Sequence, residues 1–465
     1  MNGKKLISLT SFVFILIFAF LVITNAIFAE TKAFIKEYTY QASEADSKLS
    51  SRSIALEQVK RLLLEELGTY LESHTEIVNF QLKKDQITAL TAGIVQTQIL
   101  KEKWDGEKYW MQAKIEADPN EVFKAVDSLR KDKEKSKELE DAKKSVDSAL
   151  KEVERLKKEL ALAKKDSIKT AQYDNAINEL NATEWYRQGL SLFRAGKYNE
   201  SIEINTKAIQ LNPQYSQAYV SRGVSYNKLS NYQQAIADYT RAIELNPKYA
   251  LAYANRSNNY FRIGNTQQAL DDANKAIELD PKNALAHVNR GVAYNKMGNY
   301  RQAIADYSKA IELDPKNALA YANRSSNYFR LDNIQQALED ANKAIELDHK
   351  NALAYLNRGV VYNKQGNYQQ AIIDYSEAIA IDPKYALAFS NRGNNYYRLG
   401  NYQQAIEDAN KAIELDAKLS QAYANRGDAH NKLGHRDDAI NDYKTAARLG
   451  NLNCQKYLKS KEISW

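Results

Sequence analysis

Cysteine, proline and glycine are all scarce in this sequence of 465 residues, which contains 1, 6 and 17 of them respectively. The single cysteine, Cys454, rules out a disulfide within the chain, and we expect it to pack in the last helix rather than to react. The small numbers of glycine and proline favour helices over a loop-rich fold. The formal net charge of +7 is a small excess of 65 basic over 58 acidic residues. This charge neither requires nor excludes nucleic acid, and we predict no nucleic-acid partner.

Residue patterns that support catalysis are missing as well. The histidines are scattered along the chain and show no metal-ligand spacing: His74, His287, His349, His430 and His435. There is no nucleophile elbow, phosphate loop or glycine-rich dinucleotide turn. We therefore predict that the protein is not an enzyme and has no catalytic residues, no metal site and no cofactor.

The N-terminus carries the one long apolar run. Lys4 and Lys5 precede an unbroken apolar stretch at residues 12–23, which is followed by the small-residue segment AIFA. This stretch is shorter than the roughly 20 residues that span a bilayer. We predict a signal peptide over residues 1–29, cleaved after Ala29, and hence an exported, periplasmic protein. The alternative is an uncleaved anchor that holds the protein in the inner membrane, facing the periplasm.

Residues 30–130 have the pattern of a small α+β domain. The segment AFIKEYTYQA indicates a strand, and the apolar spacing from Ser53 to Leu71 indicates a helix. Asp105-Gly106 predicts a hairpin turn between the extended stretches ITALTAGIVQTQIL and KYWMQAKIEA. The segment loosely resembles the small N-terminal domains of bacterial envelope lipoproteins and flagellar-assembly proteins, which implies an envelope setting.

Residues 131–168 form a charged helical connector with apolar residues seven apart. One row is Leu139, Val146, Val153 and Leu160, and the other is Ala142, Ala149, Leu156 and Ala163. Such heptads predict a coiled coil, and with it a homo-oligomer through residues 139–163. The alternative is a single solvated helix that acts as a spacer.

The remainder of the chain repeats every 34 residues. With position 1 at Ala182, eight units cover residues 182–449, and residues 450–465 are predicted to form a capping helix. Most units have an aromatic residue at position 4, Gly or Ser at position 8, Tyr at 11, Gly at 15, Ala at 20 and 27, and Pro at 32. These positions resemble the tetratricopeptide repeat family. The resemblance implies two antiparallel helices per repeat, stacked into a mainly α solenoid.

A second period of 68 residues overlies the first. The segment YANRSNNYFRIGN at 253 returns as YANRSSNYFRLDN at 321 and as FSNRGNNYYRLGN at 389. Position 24 alternates between Tyr and Ala over repeats 2 to 7, and position 12 between Asn and an aromatic residue. We interpret 34 as the period of the fold and 68 as the period of an alternation in packing and in the groove surface.

Arginine at position 7 and aspartate at position 23 occur together in repeats 2 to 8 and are both absent from repeat 1. This joint presence predicts an ion pair between the two helices of a repeat. We therefore give these arginines no role in binding.

The first helices of each repeat line the groove in the family that the sequence resembles. Position 6 is asparagine in the last six repeats: Asn255, Asn289, Asn323, Asn357, Asn391 and Asn425. This row resembles the asparagine ladder of tetratricopeptide superhelices that bind peptide main chain, although the amides could instead satisfy neighbouring helix ends. The candidate site is completed by cations at position 13 and aromatic residues at position 12: Arg262, Lys296, Arg330, Lys364, Arg398, Lys432, Phe261, Phe329 and Tyr397.

These patterns predict a scaffold of the cell envelope. Its groove would bind extended, acidic peptide segments of envelope proteins. The alternative is a site for an anionic polysaccharide or another polyanion.

Overall fold

The computed structural model describes residues 31–44, 46–75, 91, 94–131, 133–162 and 166–465. The signal peptide predicted for residues 1–29 lies outside this part. Within it, no helix combines the length and the apolar character needed to cross a membrane. The chain divides into two compact units, Met1–Leu245 and Asn246–Trp465, which are described separately.

The first unit begins with a three-stranded antiparallel sheet packed on a long helix. The elements are β1 (Lys32–Gln41), α1 (Lys48–Thr75), β2 (Thr97–Trp104) and β3 (Lys108–Ala117), with strand order β1-β3-β2. Alternate residues of β3, including Met111 and Ile115, are buried in one core with Leu63 and Leu67 of α1. This arrangement confirms the predicted first strand and the predicted helix that follows it. Together the sheet and the helix form an α+β layer.

The predicted hairpin turn joins β2 and β3. The Asp105 carboxylate accepts hydrogen bonds from the backbone N–H groups of Glu107 and Lys108, at 3.0 and 2.6 Å. Strand β2 begins at Thr97, and in the extended stretch predicted from residue 87, residues 87–90, 92 and 93 lie outside the described part. Ile94 and Val95 turn away because their N–H groups bond to the Thr91 carbonyl, at 2.9 and 3.0 Å.

Three helices follow: α2 (Pro119–Lys131), α3 (Lys133–Leu162) and α4 (Ser167–Arg194). The apolar row of α3 is buried in the same core as the sheet and α1, together with residues of α4, and it includes Leu139, Val146, Val153 and Leu156. The buried residues of the seam predicted over residues 139–163 are therefore packed within this chain, which removes the reason for predicting a homo-oligomer there; Ala163 lies outside the described residues. The packed row also differs from the alternative of a solvated spacer. Heptad spacing specifies an apolar stripe on a helix, and it does not specify what covers that stripe.

Polar contacts fix α3 to the end of β1. Lys157 donates hydrogen bonds to the Tyr40 hydroxyl and to the Gln41 carbonyl, both at 2.8 Å. Tyr40 in turn donates to Asp46 at 3.0 Å, and Tyr173 of α4 donates to the same carboxylate. Burial acts to raise the pKa of Asp46, but the hydrogen bonds from Tyr173 and Ser43 lower it below its ordinary value. The ionised carboxylate thus joins the sheet, α3 and α4.

Paired helices make up the rest of both units. In the first unit, repeat 1 comprises the end of α4 and α5 (Tyr198–Leu211), and repeat 2 comprises α6 (Ser216–Lys228) and α7 (Tyr232–Leu245). The second unit holds repeats 3 to 8 and a last helix: α8 (Ala250–Arg262), α9 (Thr266–Leu279), α10 (Ala284–Lys296), α11 (Tyr300–Leu313), α12 (Ala318–Arg330), α13 (Ile334–Leu347), α14 (Ala352–Lys364), α15 (Tyr368–Ile381), α16 (Ala386–Arg398), α17 (Tyr402–Leu415), α18 (Ser420–Lys432), α19 (Arg436–Arg448) and α20 (Leu452–Ser460). The predicted helix pairs of the solenoid are confirmed within each unit.

The turn inside each repeat follows from position 15. This residue has a left-handed backbone, as at Gly264 with φ 87° and at Asp332 with φ 61°. The next N–H then reaches back to the carbonyl five residues earlier, for example Asn265 to Tyr260 at 2.8 Å. This Schellman motif ends the first helix of the repeat and directs the chain into the second.

Helix α20 closes the second unit. Tyr457 packs edge-on against Tyr443 of α19, with ring centroids 5.0 Å apart, and Leu458 is buried beside them. Cys454 is also buried there, and burial raises the pKa of its thiol to about 11, as expected for a packing residue.

Candidate functional site

The first helices of repeats 3 to 8 form one face of the second unit. First helices of neighbouring repeats approach each other more closely than second helices do, so they line the inner side of the stack. Positions 6 and 13 of these helices are seven residues apart, or two helical turns, and therefore project to the same side. The face combines the predicted asparagine row with the predicted cations.

The structure divides the asparagine row into two sets. In the even-numbered repeats, Asn289, Asn357 and Asn425 are only 6%, 8% and 1% exposed. Each side-chain amide donates to a carbonyl in the first helix of the preceding repeat, at Ala254 (2.8 Å), Ala322 (2.7 Å) and Ser390 (2.8 Å). We call these three the tied asparagines. Their donors are already bonded and shielded, so these three do not present the free amide that the predicted ligand contact needs, as in the alternative that the amides are satisfied by a neighbouring helix.

The asparagines of the odd-numbered repeats are different. Asn255, Asn323 and Asn391 are half-buried, and their side-chain amides have no hydrogen-bond partner within the second unit as described. The backbone carbonyl of each accepts a hydrogen bond from the side chain of the asparagine four residues later, at 2.8 to 2.9 Å. We call these three the open asparagines. They retain a free amide donor and acceptor on the inner face.

Unequal spacing of the first helices accounts for the two sets. Helix α10 lies closer to α8 than to α12, and α14 lies closer to α12 than to α16. Repeats 3 and 4, 5 and 6, and 7 and 8 therefore form close pairs, within which an asparagine amide bridges the two first helices. The open asparagines Asn323 and Asn391 lie at the wider separations between pairs. This pairing is the structural form of the 68-residue period.

The side chains around the open asparagines repeat with the same period. Position 9 is polar in the odd-numbered repeats (Asn258, Ser326 and Asn394) and valine in repeats 4 and 6. The aromatic residues at position 12, Phe261, Phe329 and Tyr397, are half-buried. Tyr397 packs against Tyr402 of its own second helix, with ring centroids 5.6 Å apart. Tyr397 therefore serves partly as packing between the helices, and all three rings expose only part of their surface to a ligand.

All six predicted cations of the second unit are exposed: Arg262, Lys296, Arg330, Lys364, Arg398 and Lys432. Lys364 forms an exposed ion pair with Asp332 of the preceding repeat at 3.3 Å. For the other five, no carboxylate of the described chain lies within ion-pair distance. The face thus carries positive charge that is available to an acidic ligand.

The arginines at position 7 are engaged within the fold, which confirms the predicted ion pairs. Arg324 binds both oxygens of Asp340, at 2.7 and 2.8 Å, and the other six arginines bind their aspartates in the same bidentate way. Arg324 also donates to Ser308 of the preceding repeat at 2.9 Å. Sequence reasoning missed this second contact, which makes the arginine a link between repeats as well as between helices.

Repeat 4 adds a histidine to the ion pair between its two helices. His287 lies 3.2 Å from Asp306, which also binds Arg290. Burial acts to raise the pKa of Asp306, but hydrogen bonds from His287 and Arg290 lower it below its ordinary value. The hydrogen bonds to Asp306 raise the pKa of Arg290. Both partners remain charged, and His287 belongs to the packing of the repeat.

Repeat 1 uses position 6 for a different purpose. Its Arg187 binds Glu57 of α1 at 3.4 Å and also contacts Glu184. Lys60 of α1 contacts the same two carboxylates. Burial acts to raise the pKa of Glu184, but the charges of Lys60 and Arg187 lower it to about 2. This buried cluster docks the N-terminal helix on repeat 1, so that position cannot extend the asparagine row.

Three residues that sequence reasoning set aside come together in repeat 8. The candidate ligand atoms of His430, His435 and Asp438 all lie within 4.8 Å of one another. The structure thus brings together two histidines that show no metal-ligand spacing along the sequence. Linear spacing missed this proximity because the turn after α18 folds residue 435 back over residue 430. The sequence does mark these three residues, because each differs from the residue that repeats 2 to 7 carry at the same position.

Comparison with known proteins gives the following similarities. Models described as tetratricopeptide repeat or TPR repeat match residues 185–215, 216–249, 258–298, 284–317, 326–366, 352–385, 386–419 and 420–449. No curated protein matches the chain.

Among solved structures, the Cut9–Hcn1 hetero-tetramer of the APC/C is 17% identical with a TM-score of 0.51, covering 74% of each chain. A tetratricopeptide repeat protein from Parabacteroides merdae is 22% identical with a TM-score of 0.42, covering 53% of this chain and 98% of its own. YrrB, described as having an unusual peptide-binding site, is 27% identical with a TM-score of 0.31, covering 40% of this chain and 95% of its own.

Proposed function

Because the chain belongs to the tetratricopeptide repeat family, whose members generally act as scaffolds for protein–protein interaction, we propose that repeats 3 to 8 bind an extended, acidic peptide segment. The observation that carries the proposal is the set of open asparagines, Asn255, Asn323 and Asn391. An amide group offers a donor and an acceptor together, as the main chain of an extended peptide does.

The positive charge on the same face favours a peptide that is acidic. Repeats 3, 5 and 7 each place an exposed arginine at position 13, one residue after a half-buried aromatic ring. An acidic side chain beside each open asparagine would pair with that arginine, while the ring supports the apolar part of the peptide. The N-terminal signal pattern supports an exported chain, so we propose that the partner is a protein of the cell envelope and that the scaffold itself is not an enzyme.

The test compares two triple variants that make the same chemical change on the same face. In the first, Asn255, Asn323 and Asn391 are changed to Ala; in the second, the tied asparagines Asn289, Asn357 and Asn425 are changed to Ala. Each open amide should contribute about 0.5–1.5 kcal/mol to binding, so the first triple should weaken the complex by at least about tenfold. The second triple should lower the melting temperature instead, because it removes buried hydrogen bonds.

The measurement is cross-linking with mass spectrometry in the native envelope, followed by affinity measurement on the captured peptide segment. Loss of a specific partner in the open triple, with unchanged thermal unfolding, is the expected result. If the open triple keeps every cross-linked partner of the wild type, the peptide track does not exist and recruitment belongs to the N-terminal domain.

A second candidate is binding of an anionic polysaccharide or another polyanion, which the five unpaired exposed cations favour. Polyanion binding depends on released counterions, so its affinity should fall steeply as salt rises, whereas main-chain contacts to asparagine are much less sensitive. Binding measured between 50 and 500 mM NaCl distinguishes the two, using Lys296→Gln with Lys432→Gln as the charge variant. A steep salt dependence that the charge variant reduces, together with no effect of the open triple, would favour the polyanion.

A further inference from the structure

Repeat 8 departs from the other repeats at three positions that lie together in space. Position 11 is tyrosine, position 16 asparagine and position 19 glutamine in repeats 2 to 7, whereas repeat 8 carries His430, His435 and Asp438 there. Each departure replaces a neutral side chain with one that can bind a metal through an imidazole nitrogen or a carboxylate oxygen.

The backbone turn brings the two histidines into contact. Gly434 has φ 86°, and the N–H of His435 bonds to the His430 carbonyl at 2.9 Å. In a Schellman motif these two residues commonly make a side-chain contact across the turn. Here the two Nδ1 atoms lie 3.4 Å apart, with the ring centroids 5.7 Å apart. The same motif recurs in the other repeats, so the close approach of positions 11 and 16 is a property of the fold.

Asp438 joins them from the first turn of α19. In repeat 3 the residues at positions 16 and 19 touch, because Asn265 donates to Gln268 at 2.9 Å. The equivalent residues in repeat 8 are His435 and Asp438. The three candidate ligand atoms lie within 4.8 Å of one another, close enough for side-chain rotation to bring all three to one ion.

The separation of the two nitrogens fits a metal ion of the zinc type. Zinc binds imidazole nitrogen at about 2.0–2.1 Å in tetrahedral geometry, which places two ligand nitrogens about 3.3–3.4 Å apart. The observed Nδ1 to Nδ1 distance is 3.4 Å. Imidazole and carboxylate together suit divalent zinc, copper or nickel rather than magnesium or calcium, which prefer sets of oxygen ligands.

We propose that His430 Nδ1, His435 Nδ1 and the Asp438 carboxylate bind a divalent transition-metal ion, with zinc as the reference ion. His430 is half-buried while His435 and Asp438 are exposed, so the site opens to solvent. A bound ion would join the end of α18 to the start of α19 and stabilise the last repeat, and it would keep at least one coordination position for water or for a donor from a partner.

The experiment uses the full chain purified without a polyhistidine tag, stripped with a chelator and titrated with zinc chloride by calorimetry. The key variant restores the residues of the other repeats: His430→Tyr, His435→Asn and Asp438→Gln together. This triple should fold, because repeats 2 to 7 carry the same three residues. A matched control, His349→Asn, removes an exposed histidine elsewhere in the second unit.

Wild type and His349→Asn should each bind one equivalent of zinc and melt at a higher temperature with zinc than without it. The restored triple should lose that equivalent and its thermal shift, and His435→Asn alone should weaken binding at least tenfold. Retention of the full zinc stoichiometry by the restored triple would overturn the proposal, as would an absence of zinc binding by the wild type. A requirement for His349 would identify binding by scattered surface histidines and would overturn it equally.

Discussion

Individual side chains carry the alternation between neighbouring repeats. A Cβ atom placed on Gly291 would lie 2.7 Å from the ring of Tyr307, so the buried tyrosine at position 24 requires glycine at position 8. Repeat 5 has Ala341 at position 24 and Ser325 at position 8, and the serine hydroxyl donates to the Ala337 carbonyl at 2.7 Å. Repeat 4 therefore places a tyrosine ring against a glycine, whereas repeat 5 places two small side chains there and adds a hydrogen bond.

This complementarity predicts coupled mutations. Gly291→Ser should destabilise the protein by about 1–3 kcal/mol through the clash with the ring, and Tyr307→Ala by about 3–5 kcal/mol through the cavity. The double variant imitates repeat 5, so its loss should be smaller than the sum by about 1 kcal/mol or more. Urea unfolding followed by circular dichroism measures all three. Additive losses would show that the two positions do not depend on each other.

Whole helices are held together by the arginines at position 7. Each of these arginines binds an aspartate of its own second helix, and Arg324 also reaches a residue of the preceding repeat. The Arg324 and Asp340 side chains are 17% and 8% exposed, so both ends of this ion pair are largely shielded. An exposed pair on the same repeat, Lys343 with Glu346 at 2.7 Å, has side chains 40% and 67% exposed.

The contrast predicts different effects of two alanine substitutions. Arg324→Ala should cost about 2–4 kcal/mol, somewhat less than the penalty for a fully buried pair, because it leaves Asp340 shielded and unpaired. Lys343→Ala should change the free energy of unfolding by less than about 1 kcal/mol. Thermal and chemical unfolding of both variants provides the measurement. An unchanged melting temperature for Arg324→Ala, combined with weaker ligand binding, would mean that the arginine serves the ligand instead of the fold.

The second unit as a whole is a stack of repeat pairs. Repeats within a pair share an asparagine bridge between first helices, and repeats of different pairs do not share one among the contacts described. The stability of a repeat array is approximately the sum of terms for each repeat and for each interface. Here the stability contributed by an interface takes two values. One applies where an odd-numbered repeat is followed by an even-numbered one, and the other applies to the reverse order.

Two deletions test this pairing. Removing residues 318–385 takes out repeats 5 and 6 and leaves an even-numbered repeat followed by an odd-numbered one. Removing residues 318–351 takes out repeat 5 alone and places two even-numbered repeats side by side. The larger deletion should melt at the higher temperature, although identical interfaces would predict the reverse order. A single cooperative transition is expected only for the larger deletion, as measured by calorimetry. A smaller deletion that is the more stable of the two would contradict the pairing.

Much of the fold could be read from the sequence because its determinants are local or are repeated many times. The left-handed residue at position 15 ends each first helix, and it does so even where the residue is Asp332. The ion pair of Arg324 with Asp340 was visible because the two residues appear and disappear together in eight aligned units. Helix length, turn position and this pairing all follow from interactions that lie within one repeat.

The sequence did not reveal which surfaces would meet. Asn289 and Asn323 occupy the same repeat position, yet one is bonded to Ala254 and the other has a free amide, because the distance to the neighbouring first helix differs. The heptad row of α3 became an internal core face because the sheet and α4 cover it. His430 met His435 because a turn reverses the chain between them. Periodicity assigns a residue to one side of its helix, whereas contact also depends on where packing places the next helix.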